Sequence, residues 1–233
     1  MSLDFRQRQS GDTIIEVILA ISIFSLVAVA GLSVMNKGNA SAQRSLEITL
    51  VRNQIDAQAE ILRFWNAAYV AAYVPGASID SYGPPNLAAI PPEAAKPAWN
   101  WANLSDRAKS GGDLYNLSAA GFSTIATAAS CSDPTTNVFI INPVDVSAQK
   151  LVSTGATPNF FQAETYSKAR FDASGTFLGS DGLWIEAVRS NNGAESQSGT
   201  GYIDFHISAC WSSVGQAAPM KLGTVVRLYE PRQ

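Results

Sequence analysis

A long apolar segment near the N-terminus restricts how the whole chain can fold. From Val17 to Met35 no residue is ionisable. At 1.5 Å of rise per residue, a helix of this length is about 28 Å long, which matches the hydrocarbon core of one bilayer. Arg6 and Arg8 precede the segment, and positive charge on that side keeps an N-terminus in the cytoplasm. The sequence therefore predicts a single-pass membrane helix with its N-terminus inside.

Glu16, at the start of this segment, does not fit a simple membrane anchor. A carboxylate at the edge of an apolar helix costs a few kcal/mol unless it finds a partner. No basic residue lies within one helical turn of it along the chain. One interpretation places Glu16 at the depth of the lipid headgroups. The other gives it a partner outside this chain.

The run Gly11-Asp12-Thr13-Ile14-Ile15-Glu16, followed by the apolar helix, resembles the class III signal of type IV pilins and pseudopilins. In that family, prepilin peptidase cuts after the glycine, and the new N-terminal amine is methylated. A glutamate at the fifth mature position helps to neutralise the amine of a neighbouring subunit during assembly. The resemblance therefore implies cleavage between Gly11 and Asp12, methylation at Asp12 and an assembly role for Glu16.

Asp12 departs from the family pattern, in which the first mature residue is usually Phe or another apolar residue. An amine and a carboxylate attract each other far more strongly in a low dielectric than in water. The carboxylate of Asp12 therefore competes with Glu16 for the new amine. This departure favours a minor subunit over a major one.

The second half of the predicted helix, residues 37–74, is amphipathic. Between residues 41 and 74 the chain contains no proline. Apolar residues recur there at helical spacing: Val51, Ile55, Leu62, Trp65, Tyr69 and Tyr73. Such a stripe needs another layer to cover it. Pro75-Gly76 ends the helix, because proline lacks a backbone donor and glycine frees the backbone.

The C-terminal part of the chain has the pattern of β-structure. Short apolar runs separated by Gly, Asn and Ser turns lie at residues 138–141, 169–172, 176–178, 183–189, 202–211 and 224–229. Ala173-Ser174-Gly175 is a hairpin-turn signal between two of them. We expect an antiparallel meander of four or five strands that covers the helix stripe. The predicted fold is α+β, with a long N-terminal helix packed on a C-terminal antiparallel sheet.

Composition and the family resemblance together divide the chain into five segments. These are a leader (1–11), a transmembrane half of the helix (12–36), its amphipathic half (37–74), a variable proline-rich segment (75–137) and a β-sheet domain (138–233). Loops such as the proline-rich segment often carry specific contacts. The residues there do not indicate a particular role.

The chain contains two cysteines, Cys131 and Cys210, and both lie outside the apolar segment. In an exported domain an even number of cysteines predicts one disulfide, and two are too few for a structural zinc site. Two separate buried thiols are the alternative. A nucleophilic role for Cys131 is a further alternative, which the presence of Cys210 disfavours.

No pattern of catalytic, cofactor or metal-binding residues stands out. His206 is the only histidine and shares a strand face with Asp204, but no nucleophile, base and orienting group can be assembled around it. Residues 172–181 offer oxygen ligands without the spacing of a calcium loop. The net charge of −3 gives no support to nucleic acid as a direct ligand. We therefore expect neither enzyme activity nor a cofactor.

The resemblance implies that the chain is a minor pilin or a pseudopilin, a structural subunit of a type IV pilus or of a type II secretion-like filament. The implied partners are other pilin subunits, prepilin peptidase, the inner-membrane assembly platform and, before assembly, the lipid bilayer. The implied location is the cell membrane and later an extracellular filament. The alternative is a single-pass membrane-anchored extracellular binding protein that is unrelated to filaments.

Overall fold

A computed structural model describes residues 13–74, 97–101, 104, 131, 138–144, 147–189 and 202–229. Within these residues one helix of 60 residues, α1 (Thr13–Ala72), precedes the strands. The chain separates into two compact units, Met1–Ser45 and Leu46–Gln233, which are described separately. The predicted leader, Asp12 and most of the proline-rich segment lie outside the described residues.

In the first unit, α1 is exposed on all sides. Every side chain described between residues 14 and 39 is exposed, and the apolar residues from Val17 to Met35 lie within this stretch. An apolar helix with no covering layer is typical of a segment whose partner is lipid or another protein.

The second unit contains eight strands among its described residues. They are β1 (Phe139–Asn142), β2 (Ser147–Lys150), β3 (Phe160–Phe161), β4 (Lys168–Phe171), β5 (Phe177–Asp181), β6 (Leu183–Arg189), β7 (Tyr202–Trp211) and β8 (Met220–Tyr229). Five of them form an antiparallel sheet in the order β2-β1-β6-β7-β8. The predicted α+β fold, with a long N-terminal helix and a C-terminal antiparallel sheet, is confirmed.

The expectation of a single antiparallel meander is wrong, because the strands form two separate sheets. Strands β3, β5 and β4 form a separate three-stranded sheet, in which β3 pairs with β5 in parallel. The hairpin predicted around Ala173-Ser174-Gly175 is present as β4 and β5, but it belongs to this smaller sheet. Because β1 pairs with β6 through Phe139 and Ile185, strands β3, β4 and β5, which lie between β2 and β6 along the chain, are left out of the main sheet.

The core of the second unit lies between α1 and the five-stranded sheet. The predicted helix stripe is confirmed from Val51 to Trp65: Val51, Ile55, Leu62 and Trp65 are all at most 3% exposed, whereas Tyr69 and Tyr73 at its end are only partly buried. The four buried residues belong to one cluster with inward-facing residues of the sheet, which include Phe139, Ile141, Ile185, Phe205 and Ile207. Burial of this apolar area is the main source of stability for such a layer.

Part of the proline-rich segment also enters this core. Residues 97–101 and 104 are helical, and Trp101 and Leu104 are buried in the same cluster. The ring centroids of Trp101 and Phe205 lie 5.6 Å apart. The segment is therefore not only a surface excursion, since two of its large side chains pack against the sheet.

Gln58 completes the main sheet where β1 separates from β6. Its side-chain Nε2 donates to the carbonyl oxygen of Ile141 at 2.9 Å, and its Oε1 accepts from the Ile141 N–H at 2.8 Å. Gln58 is 3% exposed, so these bonds are shielded from water. A helix side chain thus takes the role of a neighbouring strand and satisfies two backbone groups that would otherwise be costly to bury.

The small sheet covers part of the outer face of the main sheet. Along β6, Leu183 and Ile185 point into the core, yet Trp184 on the opposite face is also only 4% exposed. Its ring lies 6.2 Å from that of Phe160 in β3. Gly182 (φ 61°) joins the two sheets, and a Cβ there would collide with the carbonyl oxygen of Cys210.

Candidate functional site

The beginning of α1 carries the residues that the sequence singles out. Gly11 and Asp12 lie outside the described residues, and the helix begins at Thr13. Glu16 is the acidic residue of its first turn. A carboxylate in this position interacts favourably with the helix dipole, typically by about 0.3–1 kcal/mol. The helix terminus thus gives Glu16 a modest local role, alongside any partner outside the chain.

The apolar surface that follows Glu16 is large and uncovered. The large apolar residues between Ile14 and Met35 have relative exposures of 54% to 74%, with Val17 the lowest and Phe24 the highest. A soluble monomer seldom presents a contiguous apolar patch of more than a few hundred Å². This surface therefore requires a covering environment.

Two serine side chains inside the apolar segment form hydrogen bonds within the helix. The hydroxyl of Ser22 donates to the carbonyl oxygen of Ile18 at 2.7 Å, and that of Ser25 donates to Ile21 at 2.8 Å. Hydroxyls bonded in this way need no water, so they are compatible with a hydrocarbon environment. By its length and composition, α1 is able to cross a membrane.

The second half of α1 has an exposed apolar face that the sequence analysis missed. Leu46 is 64% exposed and Phe64 is 56% exposed. These two residues are five helical turns apart and lie on one face, together with Ala57 and Ala71. The buried stripe with Leu62 lies on the opposite side of the helix. The repeat of apolar residues at 46, 50, 57, 64 and 71 was visible in the sequence.

The predicted disulfide is present in the second unit. Cys131 and Cys210 are bonded, with their Cα atoms 5.6 Å apart and 79 residues of sequence separation. Both are buried, at 1% and 0% exposure. The bond connects the chain just before β1 to the end of β7. Because both sulfurs are consumed, Cys131 has no free thiol for nucleophilic chemistry.

His206 is buried in the main sheet, close to Asp204 on the same strand. It lies in β7 opposite Glu186 of β6 and Val225 of β8. Burial lowers the pKa of His206, and the nearby Asp204 carboxylate opposes this effect. Asp204 accepts two hydrogen bonds of 2.7 Å from Arg227, which lower the pKa of Asp204. The Asp204 carboxylate is therefore held by the guanidinium of Arg227.

Asp172 closes the turn between β4 and β5. Its Oδ1 accepts hydrogen bonds from the backbone N–H groups of Ser174 and Thr176, both at 2.8 Å, and from the Ser174 hydroxyl at 2.6 Å. These bonds lower the pKa of Asp172. The described residues contain no group of three or more His, Cys, Asp or Glu side chains that could hold a metal ion. The acidic loop thus functions as a capped turn.

The structure brings Cys131 and Cys210 together, whereas Glu16 belongs to the other unit. What this chain does must therefore be inferred from α1 and its exposed faces. No protein-family model, no curated protein and no solved structure matches the chain.

Proposed function

We propose that this chain is a structural subunit of a type IV filament, either a minor pilin of a type IV pilus or a pseudopilin of a type II secretion-like filament. The observation that carries this proposal is the second apolar face of α1. The stripe with Leu62 and Trp65 packs on the sheet, while Leu46 and Phe64 remain exposed on the other side. A helix with two apolar faces fits a position between its own domain and the helices of neighbouring subunits.

In this proposal prepilin peptidase removes residues 1–11 on the cytoplasmic side and leaves the apolar helix in the mature chain. Cleavage creates a new amine on Asp12, which is the site of methylation. Glu16 is then the fifth mature residue. The carboxylate of Glu16 neutralises the amine of a neighbouring subunit when the two subunits leave the bilayer for the filament core. The low dielectric there strengthens the attraction between amine and carboxylate.

The proposed location is the cell membrane, with the N-terminus inside, followed by an extracellular filament. Other pilin subunits, the peptidase, the inner-membrane assembly platform and the bilayer are the partners. The disulfide supports export, since such bonds persist in oxidising compartments. The chain has no reaction of its own and is itself the substrate of the peptidase.

The alternative, a membrane-anchored binding protein unrelated to filaments, accounts for the anchor but not for the second apolar face. In such a protein the outer side of an extracellular helix faces water, and polar residues are expected there. The exposed Leu46 and Phe64 favour the filament subunit.

The N-terminus of the mature chain tests the proposed processing. The full chain is produced in cells with and without prepilin peptidase, and its intact mass is measured. With the peptidase we expect a chain that begins at Asp12. Gly11→Ala is tolerated, whereas Gly11→Leu blocks cutting. A chain that keeps residues 1–11 in the presence of an active peptidase would contradict the proposal.

Assembly is tested through the two carboxylates near the new amine. Glu16→Ala leaves cleavage and membrane insertion intact but reduces incorporation into filaments, because a buried amine without its partner is strongly destabilising. Asp12 partly replaces Glu16, so the double variant Asp12→Asn/Glu16→Ala incorporates less than either single variant. Equal incorporation of the wild type and the double variant would reject this role of Glu16.

A further inference from the structure

The two edges of the five-stranded sheet differ in how well they are protected. At one edge, β2 has only four residues, and the carbonyl oxygen of Lys150 accepts a hydrogen bond of 2.8 Å from the Asn159 side chain. At the other edge, β8 has ten residues, all paired with β7 without a register shift. β8 contains neither a proline nor a bulge. Long regular edges of this kind are templates for pairing with another chain.

The direction of the backbone groups along β8 follows from two hydrogen bonds. The backbone N–H of Cys210 donates a hydrogen bond of 2.8 Å to the carbonyl oxygen of Gly182, so it points to the β6 side of β7. In an antiparallel ladder the β8 residue opposite Cys210 then turns its backbone away from β7, as does every second residue after it. The backbone of Tyr229 has the outward direction that this alternation predicts, because its carbonyl oxygen accepts a hydrogen bond of 3.0 Å from the Asn66 side chain.

The central part of this edge is open. The backbone N–H and C=O groups of Gly223, Val225 and Arg227 point outward by this alternation. In the part of the chain that the structure describes, no strand or side chain pairs with them. The Val225 side chain is 54% exposed. The edge is thus accessible both in its backbone and in its side chains.

We propose that β8 pairs antiparallel with β8 of a second copy of this chain, with Val225 opposite Val225. Both strands then present outward backbone groups at opposed positions, as a hydrogen-bonded ladder requires. The two sheets join into one, related by a two-fold axis, which is the usual symmetry of a self-complementary interface. The proposal concerns the second unit alone and does not depend on filament assembly.

The charges on β8 select this register. With Val225 as the centre, Lys221 lies opposite Tyr229, where an ammonium group interacts favourably with an aromatic ring. Arg227 lies opposite Gly223, which has no side chain to oppose it. The other equally long register that satisfies the alternation is centred on Thr224. That register places Lys221 opposite Arg227, and directly opposed like charges are destabilising.

Cysteine cross-linking of the full chain in detergent tests the pairing. Val225→Cys places two thiols on directly opposed residues with Cα atoms about 5.5 Å apart, a separation that a disulfide accepts. Thr224→Cys is the matched control, because it is an exposed neighbour whose counterpart lies on the diagonal at roughly 7–8 Å. Cys131 and Cys210 do not compete, since they are bonded to each other and buried.

After mild oxidation we expect Val225→Cys to migrate at twice the monomer mass on a non-reducing gel, while Thr224→Cys remains a monomer. An unchanged unfolding midpoint before oxidation shows that both variants are folded. Three outcomes overturn the proposal: no dimer from Val225→Cys, equal dimer from both variants, or dimer from Thr224→Cys alone. Equal cross-linking indicates collisions caused by association elsewhere in the chain.

Discussion

The two halves of α1 contain similar apolar residues in nearly opposite environments. In the first half, Phe24 and Met35 are 74% and 63% exposed, whereas in the second half Leu62 and Trp65 are completely buried. The difference lies in the partner, because the second half packs on a sheet of its own chain. The first half, and the outer face around Phe64, are therefore left uncovered by the described part of the chain.

The contrast is sharpest at the adjacent residues Phe64 and Trp65, and replacing Trp65 has the largest expected effect on stability. Trp65→Ala removes a completely buried side chain and should lower the free energy of unfolding by about 3–5 kcal/mol. Phe64→Ala, on the exposed face, should change it by less than about 0.5 kcal/mol. Thermal unfolding of the full chain in detergent, followed by circular dichroism, measures both.

Trp65→Phe sharpens this result. The Trp65 Nε1–H is buried and has no acceptor among the described residues, so a phenyl ring keeps most of the packing and removes an unpaired donor. We expect a smaller loss than for alanine. Equal losses for Trp65→Ala and Phe64→Ala would mean that the two faces of the helix are not distinguished as described.

Removal of the disulfide should weaken the second unit alone. Closing a loop of this length is worth roughly 4 kcal/mol in the chain-entropy model, and residual structure in the unfolded state reduces this value. Cys131→Ala/Cys210→Ala should therefore lower the free energy of unfolding of the second unit by about 2–4 kcal/mol, while the first half of α1 is unaffected. Chemical denaturation with and without reductant provides the control: reductant should affect only the wild type.

Gln58 links the packed half of α1 to the sheet by polar contacts. Gln58→Leu leaves the N–H and C=O of Ile141 buried without partners, which should cost about 2–3 kcal/mol. Gln54→Leu, one turn earlier and only partly buried, is the matched control and should be close to neutral. Similar unfolding midpoints for the two variants would show that Ile141 finds other partners.

The smallest predicted effect is a pH dependence that arises from His206. Burial lowers its folded pKa below the ordinary value of 6.5. The unfolded chain therefore binds the proton more readily, and stability falls as the pH drops below the unfolded pKa towards the folded one. We expect a lower unfolding midpoint at about pH 5.5 than at about pH 7.5, and a smaller difference in His206→Gln. An unchanged pH dependence in that variant would remove His206 as the cause.

Local patterns in the sequence predicted much of the second unit. The stripe from Val51 to Trp65 follows the helical period, and β6 and β7 alternate clearly enough to give their observed bounds. β8 begins four residues earlier than predicted, since Gly223 interrupts its pattern. There the glycine is useful, because a Cβ would approach the carbonyl oxygen of Ile207 to 3.0 Å.

What the sequence did not predict depends on contacts that are distant along the chain. β2 is the polar run Ser147–Lys150, and β3 has two residues, so neither has a pattern of its own. The bonds between Gln58 and Ile141 span 83 residues, and a helical glutamine gives no local sign of such a role. The outer face with Leu46 and Phe64 was missed because Asn53 and Glu60 interrupt it.

Incorporation of Phe64 variants into filaments tests most directly the claim that this face is covered by other subunits. Filaments are sheared from cells with an active assembly machinery, and the fraction of the chain found in them is measured. We predict that Phe64→Ser is cleaved normally and keeps its unfolding midpoint but is largely absent from filaments, whereas Phe64→Leu enters them as the wild type does. Incorporation of Phe64→Ser at the wild-type level would contradict the account.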